Sequence, residues 1–172
     1  INTPEEFAYI IYNGGGADKK YILTQNLFLN NVNLINWETG VPASGYTPNQ
    51  WFNNKAFQGS IDGNGYTVYG LYYKNSSATW DNMTSGYDGV GLIPRVTVET
   101  SCSLTRLGVD KAYIYHKTSA SPFVGIAGTK GNDSFTNHAL VTMNECYAGS
   151  EVYVTSGSAG HFRGYTKGSK MD

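Results

Sequence analysis

The sequence predicts an all-β fold: a short right-handed parallel β-helix, a solenoid of about four coils, with an N-terminal capping helix. Three observations lead there. The first is composition. Gly, Asn, Ser and Thr supply 21, 16, 14 and 16 of the 172 residues, a mixture that suits short strands joined by turns and argues against a helix bundle. The second is a recurring pattern of Gly, an apolar residue, any residue, then Gly. It reads Gly91-Leu92-Ile93-Pro94, Gly125-Ile126-Ala127-Gly128 and His161-Phe162-Arg163-Gly164, with Leu92, Ile126 and Phe162 spaced by 34 and 36. The third is an interleaved pattern, Val68-Tyr69-Gly70-Leu71, Leu104-Thr105-Arg106-Leu107 and Met143-Asn144-Glu145-Cys146, with Leu71, Leu107 and Cys146 spaced by 36 and 39. Both share a period of about 35 residues. A unit of that length, with two or three short strands and no amphipathic helix, cannot bury its own apolar face. Stacked units bury it and pair the backbone of each coil with the next. The hairpins of an immunoglobulin-like sandwich would not produce this period.

The chain is expected to form one module. Residues 1–56 are a cap helix, a first strand and a long loop; 57–164 are repeating coils; 165–172 are a polar tail. Thr3-Pro4-Glu5-Glu6 is a capping box with Pro at the first helical position, and it starts a helix over 4–12. Phe7, Ile10 and Ile11 share one face, and Asn13-Gly14-Gly15-Gly16 ends the helix. A strand is expected from Tyr21 to Leu29, with Ile22, Leu27 and Leu29 as its apolar members. The irregular stretch Asn30–Ala56 carries Trp37 and Trp51; its length implies that it packs on the body or serves a function. In the coils, Leu92, Ile126 and Phe162 are expected to stack about 4.8 Å apart per coil. Leu71, Leu107 and Cys146 should form a second interior stack. Residue 1 is Ile rather than Met, so a longer parent is expected. The last coil has no closing helix, so further coils or domains of the parent are expected at that C-terminal edge.

Charge and hydropathy narrow the partners. The net charge is −1, from 12 basic and 13 acidic residues, so no basic stripe invites nucleic acid. The longest apolar run, Phe7 to Tyr12, is too short to insert in a membrane. Cys102 and Cys146 lack zinc-ligand spacing. They read as free thiols, with Cys146 buried in the place of Leu107. No cofactor is expected.

One segment resembles a known family. Phe57-Gln58-Gly59-Ser60-Ile61-Asp62-Gly63-Asn64-Gly65-Tyr66-Thr67-Val68-Tyr69-Gly70-Leu71 is similar to the segment that opens many bacterial β-helix modules. The Gly-x-x-Gly units and Asn144-Glu145-Cys146-Tyr147-Ala148 resemble GLUG-type repeats, as found in pectate-lyase-like solenoids. Residues 1–29 are similar to the N-terminal cap of such modules. Pro94, His161 and the Asn144-Glu145-Cys146 order depart from the repeat pattern and alter turn geometry locally. The resemblance implies a bacterial, extracellular or cell-surface protein, such as an adhesin, or a multi-domain enzyme whose catalytic part lies elsewhere.

β-Helical lyases and hydrolases need clustered carboxylates, for Ca²⁺ or as an acid and base about a glycosidic bond. Here Asp62, Asp81, Asp88, Glu99, Asp110, Asp133, Glu145 and Glu151 are scattered. Asp62 reads as part of the tight turn Asp62-Gly63-Asn64-Gly65. Asp81-Asn82 and Asp88-Gly89 fit no Ca²⁺ loop. His116, His138 and His161 form no HExxH, and no Gly-x-Ser-x-Gly elbow supports a triad. Asn75, Asn82 and Asn132 begin glycosylation acceptor patterns, which carry no meaning in a bacterial chain. Tyrosines are the better lead. Tyr69, Tyr72, Tyr113, Tyr115 and Tyr153 alternate with apolar residues in strands, so several should point outward and stack on sugars or meet a protein. β-Propensity and cross-strand packing explain the same pattern without a ligand. Trp37, Trp51 and Trp80 read as plugs over the core. The leading expectation is a non-catalytic extracellular module serving adhesion, carbohydrate contact or spacing, with a polysaccharide or a surface protein as partner. A fragment of a polysaccharide lyase or hydrolase and a phage-fibre or filament component are the alternatives.

Overall fold

The computed structural model describes residues 1–51, 55–75, 89–97, 100–116, 119–128, 139–155, 158–160, 163–167 and 169–171. Among the described residues the chain is mostly β, with parallel sheets and one α-helix. That helix, α1 (Pro4–Tyr12), is capped as the sequence requires: Thr3 Oγ1 accepts the Glu6 N–H at 3.1 Å. Glu6 reaches one residue further back than a capping box predicts, accepting from the Asn2 N–H at 2.7 Å. Phe7 and Ile11 are buried, while Ile10 is only half-buried. Phe7 stacks on Trp51 with ring centroids 5.7 Å apart, and the Trp51 indole donates to the Leu92 carbonyl at 3.2 Å. Trp51 is thus a plug between helix and core, as expected of it.

The expected strand 21–29 is replaced by two. β1 (Gly15–Ile22) begins inside the glycine run, and β2 (Leu27–Phe28) follows a corner at Leu23–Asn26. The corner is enforced by burial of Leu23 and by the Thr24 N–H, which donates to the Ile1 carbonyl at 3.0 Å. Gly15 must be glycine: its φ is +64°, and a Cβ there would collide with the Gln58 carbonyl oxygen. A 3₁₀ turn (Val32–Leu34) leads to a small antiparallel pair, β3 (Ile35–Asn36) and β4 (Val41–Pro42).

The rest is strand after strand. β5 (Gln58–Asp62), β6 (Thr67–Tyr69), β7 (Tyr72–Lys74), β8 (Gly89–Val90) and β9 (Ile93–Val96) form one pass. β10 (Ser101–Thr105), β11 (Gly108–Asp110), β12 (Ala112–Tyr115), β13 (Ser119–Ala120) and β14 (Val124–Gly128) form the next. β15 (Ala139–Asn144), β16 (Tyr147–Ala148), β17 (Val152–Thr155), β18 (Ser158–Ala159) and β19 (Arg163–Lys167) follow, and β20 (Ser169–Met171) begins another. Each pass contributes one strand to each of five parallel sheets: β1-β5-β10-β15-β20, β2-β6-β11-β16, β7-β12-β17, β8-β13-β18 and β9-β14-β19. The sequence suggests two or three strands per unit; five form because the connections Arg106-Leu107 and Lys111 are short corners that split one run into several strands. Arg106 and Lys111 turn those corners with φ of +49° and +51°.

The registers correct both expected stacks. Leu104 pairs with Met143 and Val109 with Ala148, parallel, as a repeat demands. Leu107 is therefore level with Cys146, but Leu71 is level with Ala112, since Tyr72 pairs with Tyr113. Ile93 pairs with Val124, so Leu92 is level with Phe123, and Ile126 pairs with Arg95. The Gly-x-x-Gly match is out of register by three residues, and the apolar side chains, not the glycines, set the alignment. Phe162 lies outside the described residues. The expected tail 165–172 is corrected too: β19 pairs with β14 and β20 with β15. Polar residues suffice there because the backbone ladder of the preceding pass is a template.

Among the described residues most of the interior forms one cluster, and the strap residues Ile35 and Trp37 form a second with Tyr72. Phe7, Phe57, Phe123, Leu23, Leu71, Leu92, Leu104 and Leu107 are fully buried in one cluster. Cys102 joins it, and burial pushes its thiol pKa up; Cys146, at the last complete pass, is half-buried. Both are free thiols.

Candidate functional site

The five tyrosines fall into two groups on the outer faces of neighbouring sheets. Tyr72, Tyr113 and Tyr153 are register partners on β7, β12 and β17 and form one column. The first ring is not available. Tyr72 is buried, its hydroxyl donates to the Gly40 carbonyl at 2.9 Å, and it packs with Ile35 and Trp37. The segment 30–51 is a strap laid over this end of the column, so the long loop does pack on the body. Tyr113 is half-buried, 5.9 Å from Tyr72 by ring centroids, with the Lys74 ammonium 5.7 Å from its ring. Burial raises the pKa of both phenols. Tyr153 and Tyr115 are half-buried; Tyr115 lies between Lys74 and Thr155 in the ladder.

Tyr69 belongs to the second group, on β6. It stacks on Phe28 of β2 with centroids 5.1 Å apart and planes 12° apart. Phe28 is 52% exposed. Phe28 is not among the residues singled out above, although its place between Leu27 and Leu29 in an alternating stretch marks it as outward-facing. Tyr147, also missed, lies over Gly108 and shares a hydrogen bond with the Thr67 hydroxyl. It is reached by continuing the strand pattern one pass further.

Asp62, Asp110 and Glu151 are engaged in structure. Asp62 is buried, accepts from Arg106 Nε at 3.1 Å and Nη2 at 2.6 Å, and has the Lys20 ammonium at 3.3 Å. Its Oδ1 also accepts the Asn64 N–H at 2.9 Å, the turn expected of it. Arg106 foremost holds the Asp62 pKa at about 2. A folded-state pKa below the unfolded value of about 3.9 stabilises the fold at higher pH. That stabilisation is expected to be lost as pH falls from about 4 through about 2. Urea titrations across this range check it: Arg106→Ala should flatten the pH dependence, and an unchanged slope would contradict the assignment. Asp110 accepts the Lys111 and Glu151 N–H groups at a corner, and Glu151 pairs with Lys111. Glu145 occupies a corner at φ +53°. His116 is buried against the Tyr73 ring. Among the described residues no three His, Cys, Asp or Glu side chains converge as a metal site. Trp80, Asp81, Asp88, Glu99, Asp133, His138 and His161, and the acceptor patterns of Asn82 and Asn132, lie outside the described residues, as does the rest of the pattern that begins at Asn75.

Compared with protein-family models, curated proteins and solved structures, the chain matches none of them.

Proposed function

We propose that this chain is a right-handed parallel β-helix module of a larger bacterial extracellular or surface protein, and that it serves to contact carbohydrate rather than to cleave it. The observation that carries the reading is the register-matched column Tyr72-Tyr113-Tyr153, with Tyr115 beside it. Aromatic rings repeated at one strand spacing after another suit an extended polymer of stacked sugar faces. The strap covers Tyr72 and sets Gly40 against part of the Tyr113 ring, so the polymer meets Tyr115, Tyr153 and the open part of Tyr113. The cyclic return of five parallel sheets supports the solenoid. A hydrolytic role would require two carboxylates poised across a sugar. Asp62, held by two cations, is a poor acid at neutral pH.

Binding to a panel of soluble plant and bacterial polysaccharides tests the proposal. At least one is expected to bind, with Tyr115→Ala/Tyr153→Ala weakening it about tenfold, since each lost stacking contact contributes roughly 0.5–1.5 kcal/mol. Binding that ignores both substitutions would remove the column from the function, and turnover of the polysaccharide would overturn the non-catalytic reading.

A further inference from the structure

We infer that the hollow beside Phe28 is a subsite for a single neutral sugar ring. The inference takes its ligand class from the carbohydrate reading above, but its residues belong to other strands than the tyrosine column. The hollow has a volume of 410 Å³ and is lined by Phe28, Asn30, Asn31, Val32 and Asn33. That is the lower part of the range for small-ligand pockets, enough for one sugar ring and its water.

Its chemistry is that of a sugar's two sides. A pyranose has an apolar C–H face and a rim of hydroxyls. Tyr69 occupies one face of the Phe28 ring, and more than half of the Phe28 surface stays open to take the C–H face. The exposed carboxamides of Asn31 and Asn33 stand beside it, and a carboxamide both donates to and accepts from hydroxyls. No lining residue is charged. A sugar carboxylate would find no counter-ion there to offset its lost hydration.

The wall is also preorganised. Asn30 is buried and its side chain is saturated: Nδ2 donates to the Gly70 carbonyl at 2.9 Å and the Asn49 carbonyl at 3.0 Å, and Oδ1 accepts from the Asn49 N–H at 2.7 Å and the Tyr46 hydroxyl at 3.2 Å. The Asn31 N–H donates to the Tyr46 hydroxyl at 3.0 Å, and the Asn31 side chain accepts the Asn33 N–H at 3.1 Å. The Trp37 indole fixes the Val32 carbonyl at 3.0 Å. A site whose shape exists before the ligand arrives loses less freedom on binding.

The test is an NMR titration of the 172-residue chain with methyl glycosides of glucose, mannose and galactose, and with galacturonate as the charged comparison. At least one neutral glycoside is expected to shift the Phe28 and Tyr69 ring signals and to saturate in the millimolar range. Phe28→Ala should weaken it about tenfold, Phe28→Trp should retain it, and Tyr9→Ala on the exposed face of α1 should leave it unchanged. Silence of the Phe28 and Tyr69 signals with every neutral glycoside, an unaffected Phe28→Ala variant, or tighter binding of galacturonate would each overturn the subsite. Shifts confined to Tyr115 and Tyr153 would overturn it while leaving the tyrosine column standing. Glycoside binding at Phe28, with polysaccharide binding indifferent to Tyr115 and Tyr153, supports the subsite and removes the column alone.

Discussion

Phe123→Ala is expected to destabilise the chain by about 4 kcal/mol, the loss that truncating a fully buried aromatic ring entails. Phe123 is fully buried and level with Leu92 of the preceding pass. The Ile93 N–H donates to the Phe123 carbonyl at 2.7 Å and the Ser121 hydroxyl meets the Phe123 N–H at 3.1 Å, so the backbone cannot shift to fill the void. Truncation therefore loses both the transfer free energy of the ring and the contacts of its lining. In a domain of this size that corresponds to a melting point lower by roughly 8–16 °C. Phe123→Leu, which keeps most of the volume, should cost no more than about 1.5 kcal/mol. Phe28→Ala, at an exposed ring, should cost well under that. Equal effects at Phe123 and Phe28 would mean that the interior is not organised by these registers.

Gly40→Ala is expected to release the strap without unfolding the body. Gly40 has φ +63°, and a Cβ there would overlap the Tyr113 ring. A left-handed alanine costs roughly 1–2 kcal/mol and the overlap about 1–3 more. The strap has a way out of that strain. It can leave Tyr113 and surrender the Tyr72–Gly40 hydrogen bond, so the cost to the whole fold is capped by the free energy of docking. The readouts are therefore local. Exchange of the Gly40 amide, which donates to the Asn36 carbonyl at 2.8 Å, should accelerate, and Trp37 fluorescence should shift toward that of an exposed indole. The melting point should move little. Unchanged Trp37 emission would show that the strap accommodates the methyl and that Tyr113 is less firmly seated than its ring contacts require.

The all-β class with parallel pairing was legible because alternation and repetition are properties of the interior. Leu104, Leu107 and Val109 recur as Met143, Cys146 and Ala148, and pairing follows that recurrence. The exact registers were less legible. A Gly-x-x-Gly motif looks stronger on paper than Leu92 opposite Phe123, yet glycine packs against whatever the corner needs and does not hold a level. The single period of about 35 residues rested on motif spacings of 34 to 39, whereas paired residues are separated by 30 at Val90 and Ala120 and by 43 at Gly59 and Cys102. The tyrosines were legible as outward-facing but not as covered or open. Nothing in the local pattern of Tyr72 tells that residues some thirty places earlier lie across it. Phe28 was passed over although Leu27 and Leu29 on either side were taken as core, because its stacking partner Tyr69 lies 41 residues away and is invisible in the local pattern.

The unequal separations carry a consequence for how such a chain changes over time. From Tyr73 to Ile114 is 41 residues, but from Val90 to Ala120 is 30, and the strands on both sides remain paired. The surplus lies between Lys74 and Gly89, where the chain passes from one sheet to the next. The segment between Gly128 and Ala139 does the same between later sheets. Register is thus indifferent to the length of chain at these two seams. The number of residues between paired strands can therefore change there, while a single residue added within β10 would turn the side chains after it in that strand to the opposite face. Novelty has two ports of entry in this molecule, and natural variation and grafted peptides alike should collect at them.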